Sequence, residues 1–163
     1  MPREQLDFQV KQLSVDGQLV RIQIWSSLGK EKCNEIPLSI HRSANALVYV
    51  YDITNRQSFE NLKKWQSITN AACHPNVPCL VLGNKCDLQK RKKVAFEEAD
   101  AYAKTIGGVA AETTALNSSI VCRTLDNFFK NIVRDGIHPI GSQHIRLHVH
   151  REKSSNWPKG CSC

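Results

Sequence analysis

The 163-residue sequence predicts an α/β domain built on a mostly parallel sheet with one antiparallel edge strand. Three observations carry that reading. An alternating apolar and polar stretch near the start is split by a tight-turn dipeptide, two nearly continuous apolar runs follow, and helical periodicity lies between and after them.

Residues 6–26 read as a hairpin, because Val20, Ile22 and Ile24 alternate with Arg21, Gln23 and Trp25 while Asp16-Gly17 supplies the positive φ of a two-residue turn. Residues 46–51 and 79–83 are the apolar runs expected of central parallel strands covered on both faces. Between them the pattern predicts a helix capped by Thr54, with Gln57 completing a capping box and Phe59, Leu62, Trp65 and Ile68 along one face. A second helix over 97–106 leads through Gly107-Gly108 to a short strand at 109–111. A third carries Val121, Leu125, Phe128, Phe129 and Ile132 at helical spacing. The predicted order is β-β-α-β-α-β-α-β-α. Residues 1–135 form the expected domain. From Gly136 onward Gly, Ser, His, Pro and basic residues dominate, so 136–163 reads as a flexible tail.

With 41% hydrophobic and 23% charged residues the chain can bury a core, which excludes wholesale disorder. No run of about 18 apolar residues suggests a membrane span, and residues 1–5 do not open a signal peptide, so a cytoplasmic location is expected. Cys33, Cys73, Cys79, Cys86 and Cys122 lack metal or disulfide spacing, and His148-Val149-His150 has no ligand partner in the pattern, so no metal site is expected. The net charge of +7 favours anionic partners. Its only cluster, Lys90-Arg91-Lys92-Lys93, reads as a solvated loop, and no nucleic-acid partner is expected.

Chemistry concentrates in Gly83-Asn84-Lys85-Cys86-Asp87, which follows a buried strand and therefore projects from the carboxyl end of the sheet, where open α/β folds bind ligands. A carboxylate there can accept two hydrogen bonds, which suits the N1-H and N2-H₂ donors of guanine. Asn84 and Lys85 can brace the loop and cover the purine face. Glu112-Thr113-Thr114-Ala115 follows the next strand, where the amide of a small residue can reach guanine O6.

On these residues the chain resembles the Rab family of small GTPases from Leu6 to about Val133. The family's Asn-Lys-x-Asp motif is matched in full by Asn84, Lys85 and Asp87. Its Glu-Thr-Ser-Ala-Lys motif is matched with Thr114 for Ser and Leu116 for Lys. Ile24-Trp25, Tyr51-Asp52-Ile53-Thr54 and the terminal Cys-Ser-Cys agree as well. The resemblance implies a Ras-like P-loop NTPase sheet, GTP or GDP bound through Asn84, Lys85, Asp87, Thr114 and Ala115, and work in vesicle trafficking and protein transport. It implies geranylgeranyl lipid on Cys161 and Cys163, attachment to the cytosolic face of intracellular membranes, and dealings with the Rab escort and prenylation machinery and with trafficking effectors.

Departures limit those implications. Where the family carries Asp-Thr-Ala-Gly-Gln-Glu, this chain has Ser26-Ser27-Leu28-Gly29-Lys30-Glu31. Ser26 deprives a Mg²⁺ shell of its carboxylate, and Lys30 cannot accept a hydrogen bond where the catalytic Gln would stand, so no catalytic residue is assigned. Gly29 alone keeps its place for a residual phosphate contact. No Gly-x-x-x-x-Gly-Lys-Ser/Thr sequence occurs, so the expectation is a domain without its first strand, phosphate loop and first helix. Weak or absent nucleotide binding, undetectable hydrolysis and a hole in the sheet between residue 26 and residue 46 follow. That hole predicts marginal stability. The alternative reading is a non-catalytic interaction protein, or a truncated gene product that binds no nucleotide.

Overall fold

The computed structural model describes residues 6–27, 38–135 and 144–151. Strands β1 (Leu6–Val15) and β2 (Gln18–Ser27) form the expected hairpin, turning at Asp16 (φ 49°) and Gly17 (φ 83°) with Val15 paired to Gln18. Positive φ at both central residues is what matches the turn to the strands' twist. After α1 (Leu38–Arg42) come β3 (Ala46–Asp52), β4 (Cys79–Asn84) and β5 (Val109–Glu112), parallel to one another. The α/β class and the mostly parallel sheet agree with the sequence reading.

The helix between β3 and β4 differs from expectation. Asn55, not Thr54, is the cap: its side chain accepts from Gln57 N at 3.1 Å, opening α2 (Arg56–Glu60), and Asn61 separates this from α3 (Leu62–Ala72). Thr54 is drawn away because its N–H and hydroxyl both donate to Asp52 Oδ1, at 2.8 and 2.7 Å. Then follow α4 (Phe96–Thr105) and α5 (Ser118–Arg134), the latter capped by Asn117. None of the helices among the described residues is long and apolar enough to cross a membrane.

Alternation along β3 sorts the two faces. Leu47, Tyr49 and Tyr51 pack with Leu62 and Trp65 of α3 and Ala99 and Ala103 of α4, while Ala46 and Val48 pack with Phe128, Phe129 and Ile132 of α5. The outward crossovers β3-α3-β4 and β4-α4-β5 therefore lie on one face and α5 on the other. A return leg over the opposite face keeps the same hand, as parallel crossovers require.

That return leg ends in a strand the sequence reading did not foresee. Residues 144–151 form β6 (His144–Arg151), which sits between β2 and β3, parallel to both, in the order β1-β2-β6-β3-β4-β5. The reading of 136–163 as flexible throughout is corrected for these eight residues, and the hole expected between β2 and β3 is filled. The physical reason is a two-residue period. Ile145, Leu147 and Val149 alternate with His144, Arg146, His148 and His150, and pair in register with Ile22, Ile24 and Ala46, and Val48. A strand here gives the inner edges of β2 and β3 their main-chain partners, which removes the unpaired-edge argument for marginal stability.

Candidate functional site

At the carboxyl edge of the sheet the loops after β4 and β5 are sewn together. Gly83 O accepts from Thr113 N at 2.8 Å, Thr113 O from Cys86 N at 2.9 Å, and the buried Asn84 places Oδ1 3.1 Å from Ala115 N. The predicted residues Asn84, Lys85, Asp87, Thr114 and Ala115 are thus brought to one place. Thr114 is buried and organises its own turn, its Oγ1 accepting from Leu116 N and its carbonyl from Asn117 N. Gly83 keeps β4 close to Tyr51: a Cβ there would lie 2.8 Å from Tyr51 Oη and 2.9 Å from Cζ, inside contact distance.

Lys85 adopts φ 67°, a conformation uncommon for a residue with a side chain and one that concentrates at functional loops. It begins a turn closed by Leu88 N on Lys85 O at 2.9 Å, and Asp87 stands exposed within that turn. The Lys85 ammonium reaches Asp52 Oδ2 at 2.6 Å, so the lysine braces the loop against the end of β3, as expected of it. Ala115 differs in detail. Its amide, expected to reach guanine O6, is engaged with Asn84, so that contact requires the bond to be shared or released.

Asp52, Thr54 and Lys92 also belong to this edge, although none of them is assigned a role in the site from sequence alone. Lys92 pairs with Glu112 Oε1 at 2.7 Å, tying the β4–α4 connection to β5. Burial pushes the Asp52 carboxyl up, yet the hydrogen bonds from Lys85 and Thr54 outweigh it and hold the group below the usual carboxylate range. A depressed folded-state pKa means that the brace stabilises above the unfolded value of about 3.9 and is lost as pH falls through the folded value. Asp52→Asn should therefore destabilise the protein by roughly 1 kcal/mol at pH 7. The difference from wild type should vanish in urea melts as pH falls below the usual carboxylate range. A difference constant down to pH 2 would show that Asp52 acts otherwise than through its charge.

β2 also ends on this edge, at Ser27, with Ser26 paired to Val149 of β6. Gly29 and Lys30, like Cys161 and Cys163, lie outside the described residues. A cleft of about 370 Å³ stands at the opposite edge, lined among others by Gln66, Thr69, Cys73 and Ile106, and so belongs to a different part of the molecule.

Comparison with known proteins agrees with this geometry. Residues 3–135 match a family model described as the Ras family. The Ras-related protein Rab-13 of Bos taurus is 32% identical over 141 residues, 86% of this chain and 68% of the relative. Rab-8A of Gallus gallus is 30% identical over 155 residues, 95% of this chain and 69% of the relative. RABD2c of Arabidopsis thaliana is 36% identical over 116 residues, 71% of this chain and 57% of the relative. The chain thus spans between 57% and 69% of the length of these curated relatives.

Proposed function

The chain belongs to the Ras family, as a Rab-type small GTPase, and from that premise we propose that it acts in membrane trafficking and holds the guanine of GTP or GDP weakly, mainly through Asp87. The observation that carries this reading is the pair of sewn loops, Asn84 to Ala115 and Cys86 to Thr113, which leave the Asp87 carboxylate exposed. That carboxylate accepts from guanine N1-H and N2-H₂. Lys85, anchored on Asp52, lends its alkyl stem as a wall for the purine, and Thr114 with Ala115 closes the O6 side.

Hydrogen bonds to a charged group contribute roughly 1.5 to 3 kcal/mol each, and micromolar binding needs about 8 kcal/mol. Two such bonds with some stacking fall near or short of that, and Gly29 adds at most one phosphate contact. Ser26 offers Mg²⁺ a hydroxyl in place of a carboxylate, and Lys30 cannot orient a water for attack, so the proposed protein binds without appreciable hydrolysis. Titration with fluorescent GDP and GTP, with and without Mg²⁺, tests this. Saturation in the micromolar range or weaker is expected, and tight stoichiometric binding with turnover would sink the proposal.

Lys30 also favours a second reading, a non-catalytic interaction protein that meets trafficking effectors without a nucleotide cycle. In either reading Cys161 and Cys163 carry geranylgeranyl groups added through the Rab escort and prenylation machinery. Two lipid chains attach stably to a membrane where one is marginal. Metabolic labelling with an isoprenoid analogue should mark the chain and miss its Cys161→Ser, Cys163→Ser double variant; equal labelling of both would refute the assignment.

A further inference from the structure

We propose that the carboxyl edge of the sheet, where β6 ends beside the exposed Lys90, Arg91 and Lys93, is the face this chain turns toward an anionic lipid surface. The basic cluster that reads from sequence as a solvated loop is divided by the structure. Lys92 is drawn to Glu112 at 2.7 Å, and Lys85 of the same connection to Asp52 at 2.6 Å, while Lys90, Arg91 and Lys93 remain exposed, with Asp87 before them and Glu97 after them as exposed carboxylates. Three cations are therefore available to headgroups rather than to the protein.

The direction of β6 is the second, independent observation. Helix α5 ends at the other edge of the sheet, where Arg134 bonds Asp16 of the hairpin turn at 2.9 and 3.0 Å. A tail leaving directly from Arg134 would start there, with Cys161 lying 27 residues further on and a span of up to about 90 Å. β6 instead lies across the sheet and reaches this edge at Arg151, which pairs with Val50. Three residues beyond Val50, Ile53 O accepts from Lys93 N at 2.8 Å and from Val94 N at 3.2 Å. Arg151 therefore lies roughly 10 to 15 Å from the basic connection.

Cys161 lies ten residues beyond Arg151, a span of at most about 35 Å. Attraction to an anionic leaflet fades within a Debye length of about 8 Å, so a short tether on the basic side of the molecule is what keeps these cations in range. The tether argument rests on the lipid-modified tail proposed above; the exposed cations stand without it.

Full-length chain without attached lipid should bind vesicles of phosphatidylcholine containing about 30% phosphatidylserine in preference to phosphatidylcholine alone. Because each cation near such a surface is worth about fivefold, the triple variant Lys90→Gln, Arg91→Gln, Lys93→Gln should lose on the order of 100-fold. The exposed α3 pair Lys63→Gln, Lys64→Gln, as a control, should lose far less. On those vesicles a fluorophore at Leu116→Cys should transfer more energy to a headgroup dye than one at Asn76→Cys on the opposite edge. Equal binding to both vesicles, equal loss in the control pair, or the reverse order of transfer overturns the proposal. So does a triple variant that keeps its vesicle affinity and loses affinity for RNA. Since the assay uses lipid-free chain, failure of the isoprenoid labelling leaves its result intact, and failure here leaves that labelling result intact.

Discussion

Asp87→Asn is expected to weaken guanine-nucleotide binding by about 30-fold while leaving the melting temperature nearly unchanged. The carboxylate accepts two charge-assisted bonds from guanine in the proposed pose. An amide offers only one neutral acceptor and turns its own donors toward the guanine donors. A loss near 2 kcal/mol corresponds to that factor. Stability should hold because Asp87 is exposed, and surface substitutions away from special features usually change stability by less than about 0.5 kcal/mol.

The contrast with Asn84 makes the result interpretable. Asn84 is buried and its Oδ1 accepts from Ala115 N, so Asn84→Ala should lower affinity and stability together. A nucleotide whose purine carries a carbonyl at C2 in place of the amine should lose less in the Asp87→Asn variant, because the amide can donate to that oxygen. Fluorescent GDP titration of wild type and variant beside thermal melts reads all of this. Unchanged GDP affinity in Asp87→Asn would remove the carboxylate from the site and leave the interaction-protein reading as the better one.

Much of the architecture was legible because its signals are local. The hairpin's alternation and turn dipeptide, the unbroken apolar runs of β3 and β4 and the apolar stripe of α5 each sit within one short window, and backbone geometry converts them directly into elements. The two loops at the carboxyl edge were legible for the same reason, since a motif directly after a buried strand has only one place to project. What escaped depends on residues distant in sequence. The Lys85–Asp52 ion pair joins positions 33 apart, and nothing in Asp-Ile-Thr by itself says that Thr54 will turn back on Asp52 and yield the cap to Asn55. β6 escaped for another reason. Its period of two is present, but four histidine or arginine residues fill the alternate positions and the flanking composition is that of a linker, so the average hid the pattern.

Leu147→Pro is expected to cost roughly 2 to 4 kcal/mol, from a lost ladder bond and a carbonyl left unpaired inside the sheet, a large part of the roughly 5 to 15 kcal/mol that holds an ordinary domain together. Leu147 is in register with Ile24 on one side and Ala46 on the other, and proline in a central strand removes a ladder donor and cannot be moved to an edge. Leu147→Ile, which keeps volume and the strand preference of a branched side chain, should cost less than about 1.5 kcal/mol. Urea melts of the two variants separate a backbone effect from a side-chain one, and an unchanged midpoint in Leu147→Pro would mean that β6 carries no part of the fold. Hydrogen exchange should place the damage. Because β6 is the strand that joins β2 to β3, its loss leaves the hairpin held without main-chain pairing to the rest of the sheet, by the packing of Leu13, Val20, Ile22 and Ile24 against the α5 cluster and by the Lys11–Asp126 and Arg134–Asp16 ion pairs. Ion pairs near the surface contribute about 0 to 1 kcal/mol each, too little to replace a strand. Amides of β1 and β2 should therefore exchange rapidly in the variant while those of β4, bonded to β3 and β5, stay protected.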